Sequence, residues 1–141
     1  MIEVMDRFGN PSSLHEHGRM AKHEIDWARE QISSALGCLF AEVVFTGSGT
    51  EAANLAIIGC ALANEDSNRK RILLSSIEHH CVLNTQPILE RLGYQVELIP
   101  VDRESRVHLQ KLDQMRSQDV LLVSVMSVNT ETGMKQKISD I

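Results

Sequence analysis

The sequence of 141 residues has few aromatic residues, few cysteines and no surplus of positive charge. Its three cysteines, Cys38, Cys60 and Cys81, are an odd number at wide spacing, which favours free thiols in a reducing compartment over a disulfide framework. No C-x-x-C spacing occurs, and the sequence therefore predicts no metal site. The net charge of -5 and the scattered lysines and arginines argue against nucleic acid and acidic membranes as partners.

Long hydrophobic runs are also missing. No apolar stretch approaches the length of a membrane span, and residues 1–10 lack the apolar core of a signal peptide. We therefore expect a cytoplasmic location. Since 43% of the residues are hydrophobic, the chain has enough apolar surface to bury the core of a single domain.

The hydrophobic pattern predicts alternating helices and strands. Apolar residues at three- and four-residue steps predict an amphipathic helix from Ser13 to Gly37. Farther along, the predicted strands are 42–45, 71–75, 95–99 and 120–126, and the predicted helices between them are 50–64, 81–92 and 108–116. The helix 50–64 is apolar nearly all round, so we expect it deep in the structure, and 135–141 resembles the first turns of another helix. Strands separated by helices favour a three-layer α/β/α fold with a mostly parallel sheet.

A turn of small residues, Thr-Gly-Ser-Gly-Thr at 46–50, lies between the first of these strands and its helix. Gly47 and Gly49 allow backbone angles and a close approach that a Cβ would forbid, so several N–H groups can face one anion. A helix that begins near Thr50 adds its unpaired N–H groups and its dipole. The turn therefore predicts a phosphate site, and a plain βα turn with Thr50 as the helix cap is the alternative.

Polar residues follow two further predicted strands, with His79 after 71–75 and Asn129 after 120–126. Because the carboxyl ends of parallel strands meet at one edge of a sheet, we expect the turn, His79 and Asn129 to share one site. An anion cradle, an imidazole and a carboxamide together suit a phosphorylated heteroaromatic ligand such as pyridoxal 5'-phosphate. Taken alone, His79 and Asn129 are each more typical of a solvated loop or a turn than of a ligand site.

Several motifs, in order along the chain, resemble the cysteine desulfurases of the NifS and IscS type, which are pyridoxal-phosphate-dependent, class V aminotransferase-like enzymes of fold type I. The matching motifs are 8–13 with His15 and Gly18, 44–46 with 49–51, 54–57, 78–79, and 128–129 with Glu131 and Gly133. The resemblance implies that Gly49 and Thr50 hold the cofactor phosphate. It also implies that His79 stacks on the pyridine ring and acts in proton transfer, and that Asn129 hydrogen-bonds the phenolic oxygen of the ring.

The same resemblance implies a reaction in which L-cysteine gives its sulfur to an enzyme persulfide and L-alanine is released. It implies a homodimer when complete and a sulfur-acceptor or scaffold protein as partner, as in iron–sulfur cluster assembly. The motifs cover only the early part of a family chain, so 1–141 is expected to be one partial large domain. The family's cofactor-binding lysine, its pyridine-pairing aspartate and its persulfide cysteine belong beyond Ile141, and we expect the chain alone to be inactive.

Two other interpretations remain open at this point. Residues 47–52 also satisfy G-x-G-x-x-A between a strand and a helix, a dinucleotide-binding pattern in which Glu78 would accept the ribose. The other is a remnant that folds or pairs without catalysis. Cys81, near a predicted helix start, is the one cysteine considered as a nucleophile, with a packing role as the alternative.

Overall fold

The computed structural model describes residues 8–141, in two compact units divided after Phe45. The first unit contains helix α1 (Glu16–Leu36) and a 3-10 turn at Phe40–Glu42. The second contains α2 (Gly49–Ala63), β1 (Arg71–Ser75), α3 (His80–Leu83), α4 (Gln86–Arg91), β2 (Gln95–Ile99), α5 (Leu109–Met115), β3 (Val120–Ser124) and a 3-10 turn at Ile138–Asp140. Of the helices described, none combines the length and the apolar character that crossing a membrane requires.

Helix α1 begins at a tightly packed turn. The Nδ1 atom of His15 caps the helix by accepting the Gly18 N–H at 3.2 Å, and the Asn10 side chain accepts the Ser12 N–H at 2.9 Å. Gly18 is buried against this turn. At the other end, Gly37 adopts a left-handed conformation with φ of 68° and ends the helix. The helix predicted from Ser13 to Gly37 is therefore confirmed, with its first turn at Glu16.

Replacing Gly18 with alanine is expected to destabilise the chain by about 1 to 3 kcal/mol. The added Cβ would lie 2.3 Å from the Ser13 carbonyl oxygen and 2.8 Å from that of Asn10, so the backbone of the turn must move. Gly59→Ala is the matched control, because a Cβ on Gly59, inside α2, meets nothing within 4 Å. That control should stabilise the chain by about 0.5 to 1 kcal/mol. Urea unfolding measures both, and an unchanged Gly18→Ala variant would contradict the packing.

The strand predicted over 42–45 is wrong. The Glu42 carboxylate accepts the Leu39 N–H at 2.6 Å and closes the 3-10 turn, and the Val43 carbonyl accepts from Arg29 Nε at 3.2 Å. The guanidinium of Arg29 also lies over the rings of Phe40 and Phe45, at 5.0 and 5.2 Å. A strand needs a ladder partner, and residues 43–45 pair with no strand in the described part of the chain.

The sheet of the second unit has three parallel strands in the order β2-β1-β3. Arg71 of β1 lies opposite Gln95 of β2 and Val120 of β3, and the β1–β3 register shifts after Arg71. The predicted strands 71–75 and 95–99 are confirmed at both ends, whereas the third ends at Ser124 rather than at residue 126. The parallel β1–β3 pair brings the segments that follow both strands to one edge.

Helices cover both faces of this sheet. Since successive side chains of the central strand point in opposite directions, alternate residues contact different helices. Ile72 and Leu74 pack with residues of α2, α3 and α4, while Leu73 packs with Leu112 of α5 on the other face. Ile72, Leu73 and Leu74 have no exposed surface. The predicted three-layer α/β/α architecture is therefore confirmed in the second unit.

Three helix predictions need correction. Helix α2 is not deep, since only Ile57 and Ala61 are buried while Leu55 and Leu62 are about half exposed, at 53% and 50%. The predicted helix 81–92 is two short helices, because Pro87 lacks an N–H and lies in the first turn of the second one. The predicted helix 135–141 is a 3-10 turn of three residues.

Candidate functional site

A cleft of about 310 Å³ opens where β1 and β3 end. It is lined by residues 76–80 after β1, by Leu83 of α3, and by Met126 and residues 129–132 after β3. The structure thus brings His79 and Asn129 together, as expected from the carboxyl ends of neighbouring parallel strands. Gly49 and Thr50 are not among the residues that line this cleft.

His79 is the N-cap of α3. Its Nδ1 atom accepts the Cys81 N–H at 3.1 Å, with extended backbone angles of φ -60° and ψ 147°. Because that lone pair is used by the cap, the neutral imidazole carries its proton on Nε2. Nε2 is therefore the atom of His79 that is available for exchanging a proton.

Asn129 is 8% exposed, and its carboxamide joins the two segments that line the cleft. The Oδ1 atom accepts the N–H groups of Glu131 at 3.0 Å and of Thr132 at 2.8 Å, which closes the loop after β3. The Nδ2 atom donates to the Ile77 carbonyl at 3.0 Å and to the Met126 sulfur at 3.4 Å. A thioether is a weak acceptor, so the hydrogen bond from Nδ2 to the Met126 sulfur is the one that a ligand would replace most easily.

Gln136 holds the far side of the same loop. Its N–H donates to the Ser127 carbonyl at 2.8 Å, its Oε1 accepts the Val107 N–H at 3.0 Å, and its Nε2 donates to the Ser105 carbonyl at 2.7 Å. Sequence reasoning missed this support, because an isolated glutamine after a loop carries no signal of burial.

The glycine turn forms the start of α2. Ser48, not Thr50, is the N-cap, and its hydroxyl accepts the Glu51 N–H at 3.2 Å. The Glu51 carboxylate in turn accepts the Gly47 N–H at 2.7 Å. The N–H groups of Gly49 and Thr50 have no hydrogen-bond partner among residues 8–141, as expected for the first turn of a helix.

One hydrogen bond connects α2 to the helix that His79 caps. The Asn54 Nδ2 atom donates to the Cys81 carbonyl at 3.1 Å and to the Thr50 carbonyl at 2.8 Å. Asn54 therefore ties α2 to the helix that His79 caps.

Glu78 is a buried carboxylate in the wall of the cleft, 8% exposed. Burial raises its pKa above the usual value, and hydrogen bonds to Ser124 and to the backbone of Met126 and His79 oppose the shift. Sequence reasoning considered this residue only as a ribose acceptor. A buried carboxylate that already accepts the Ser124 hydroxyl at 3.2 Å does not favour that role.

Other reactive side chains lie apart from the cleft lining or are half buried. Lys70 stands just before β1, at the opposite end of the sheet, where Nζ donates to the Glu65 carbonyl at 2.5 Å and lies 4.9 Å from the Tyr94 ring centre. Cys38, Cys60 and Cys81 are all free thiols and half buried. Within the described part of the chain, no group of three or more His, Cys, Asp or Glu side chains could hold a metal ion.

The sequence is similar to curated cysteine desulfurases. It is 44% identical over 138 residues to the cysteine desulfurase IscS of Methanosarcina thermophila, covering 98% of this chain and 34% of that protein. It is 43% identical over 134 residues to a putative cysteine desulfurase IscS 1 of Bacillus subtilis strain 168, covering 95% and 35%. The chain thus spans about a third of the length of these relatives.

The structure is similar to solved structures of the same kind. A NifS-like protein matches with a TM-score of 0.89 and 33% identity, over 99% of this chain and 38% of that one. The sequence model of the aminotransferase class-V family matches residues 2–141. The chain therefore belongs to the class-V aminotransferase family.

Proposed function

We propose that this chain binds pyridoxal 5'-phosphate at the cleft between the segments that follow β1 and β3. The observation that carries the proposal is the placement of His79 and Asn129 in one cleft. Class-V family membership supports the same cofactor. We further propose that residues 1–141 are part of one cofactor-binding large domain.

The residues present fit the phosphate of that cofactor. Donors at a helix start are the Thr50 hydroxyl and the N–H groups of Gly49 and Thr50, which have no partner within the described residues. A Cβ on Gly49 would meet no atom within 4 Å, so the approach to the turn is open. The Glu51 carboxylate already accepts the Gly47 N–H, and the phosphate would therefore accept from the N–H groups of Gly49 and Thr50.

The side chains of the cleft have distinct proposed tasks. His79 would lie against the pyridine ring, and its Nε2 would hold or release a proton, since Nδ1 is engaged in the helix cap. Asn129 Nδ2 would donate to the phenolic oxygen the N–H that now points at the Met126 sulfur, and it would keep its hydrogen bond to the Ile77 carbonyl. When bound, the cofactor supplies an electron sink for bond breaking at the substrate carbon.

The reaction proposed for the whole protein is that of a cysteine desulfurase, with L-cysteine as substrate, an enzyme persulfide and L-alanine as products. The names of the curated relatives support this. A solved structure of SspA in complex with cysteine supports it as well, since it matches with a TM-score of 0.85 and 36% identity over 97% of this chain and 39% of that one. We propose a cytoplasmic homodimer that passes sulfur to an acceptor or scaffold protein, as in iron–sulfur cluster assembly.

Titrating the chain with pyridoxal 5'-phosphate and following visible absorbance tests the binding. We expect reversible binding that dialysis removes, weakened at least tenfold by His79→Ala. The matched control is His108→Ala, an exposed histidine whose side chain makes no cap hydrogen bond. Equal binding by the wild-type chain and His79→Ala would contradict the proposed role of His79.

Borohydride treatment of the mixture tests the covalent step separately. Lys70 lies at the opposite end of the sheet, and we expect no stable attachment of cofactor to any lysine of the 141 residues. Borohydride-stable labelling of a lysine would overturn this expectation. An enhancement of nicotinamide fluorescence by the chain would instead favour the dinucleotide interpretation.

A further inference from the structure

We propose that the Glu78 carboxylate is the positioning group that holds the segments bearing His79 and Asn129 against one cleft. The inference deepens the proposed function and rests on it. Glu78 is adjacent to His79 and lines the same cleft, but no step proposed above uses it.

The contacts of Glu78 cross from one strand end to the other. Its Oε1 atom accepts from the Ser124 hydroxyl, the last residue of β3, at 3.2 Å. The backbone N–H groups of Met126 and His79 lie near enough to the same carboxylate to oppose the rise of its pKa. One side chain thus fixes both the segment after β1 and the segment after β3.

The Asn129 bond to the Ile77 carbonyl is the second tie between these segments. With both ties intact, the segments that carry His79 and Asn129 are held beside one cleft. Loss of the Glu78 tie leaves the Asn129 bond to Ile77 as the remaining side-chain tie of the two, beside the backbone pairing of β1 with β3. A ligand that contacts both residues would then meet a less ordered site.

A carboxylate suits this position better than an amide of the same shape. All its neighbours in the contacts above donate hydrogen bonds, and a carboxylate accepts from each of them. Glutamine keeps one accepting oxygen but turns an NH2 group toward N–H donors. Glu78→Gln therefore preserves the volume and one accepting oxygen, but it removes the second acceptor and the negative charge.

Because Glu78 ionises, a pH titration of its neighbours reports directly on its contacts. A purely structural role of Glu78 would give no such common titration. Its pKa is raised in the folded chain, chiefly by burial. This group therefore favours folding most at low pH, and that contribution is lost as the pH rises through the folded pKa. The other titratable side chains that line the cleft are His79 and His80 on the same segment and Glu131 on the facing loop.

The experiment compares the wild-type chain, Glu78→Gln, and Glu90→Gln as an exposed control on α4. Nuclear magnetic resonance follows the backbone amides of His79 and Met126 and the side-chain amide of Asn129 across pH. In the wild type we expect all three to shift with one midpoint above the ordinary glutamate range. Glu78→Gln should abolish that common titration, and Glu90→Gln should keep it.

Pyridoxal 5'-phosphate is the probe for the second measurement. We expect Glu78→Gln to bind it at least tenfold more weakly than the wild type, while Glu90→Gln binds normally. Equal binding by Glu78→Gln, or persistence of the common titration, would overturn the positioning role and leave the proposed function intact. If the wild type binds no cofactor while the titration behaves as expected, the proposed function fails and so does the inference that rests on it.

Discussion

Replacing Leu74 with alanine is expected to lower the free energy of unfolding by about 3 to 5 kcal/mol, the largest effect anticipated for a single substitution in this chain. Leu74 lies in the central strand with no exposed surface. It packs with Ile57 of α2, Val82 of α3 and Leu89 of α4, so truncation leaves a cavity where three helices meet the sheet. Urea unfolding followed by circular dichroism measures the change.

Leu98→Ala is the matched control for this experiment. Leu98 pairs directly with Leu74 across the β1–β2 ladder but is 48% exposed. Its truncation removes the same atoms with about half the burial, and we expect a loss of about 1 to 2 kcal/mol. Similar losses for the two variants would contradict the central position of β1.

Replacing Asn129 with aspartate is expected to cost about 2 to 4 kcal/mol at neutral pH and to weaken cofactor binding at least tenfold. Aspartate keeps the acceptor that closes the loop on Glu131 and Thr132. It places a negative oxygen against the Ile77 carbonyl, where the amide now donates at 3.0 Å. The exchange therefore breaks the tie between the segments and leaves the turn in place.

The pH dependence of the stability loss distinguishes the broken Ile77 hydrogen bond from a general disruption of the fold. A protonated aspartic acid can again donate to Ile77, so the loss of stability should shrink between pH 7 and pH 4. Asn68→Asp, at an exposed position between α2 and β1, should change stability by less than about 0.5 kcal/mol at either pH. A loss in Asn129→Asp that stays constant with pH would show that the Ile77 bond is not the cause.

The parts of the fold that sequence reasoning predicted correctly are those where local and tertiary preferences agree. Residues 71–75 and 95–99 are short apolar runs that also pair with each other, and both strands were predicted to the residue. Residues 42–45 form a similar short apolar run but have no ladder partner in the described residues, and Arg29 contacts Val43 and Phe45 there. Pattern alone does not distinguish the two cases, because pairing is a tertiary property.

The candidate site was predictable to the same extent. His79 and Asn129 could be placed together because parallel strands end at one edge, a consequence of topology. The position of Glu78 could not, since its burial depends on Ser124 and on the turn of the chain after both strands. The choice of Ser48 over Thr50 as the cap likewise depends on where the first helical turn closes.

The bond between Glu51 and the Gly47 N–H has a consequence for how a ligand would arrive. The Glu51 carboxylate already fills one N–H group of the loop, so the loop conformation does not depend on a bound ligand. A bound phosphate would lie beside the Glu51 carboxylate, and repulsion between the two negative groups would limit the affinity for phosphate. Release of the phosphate would leave the loop conformation unchanged, so the site would bind another phosphate without refolding.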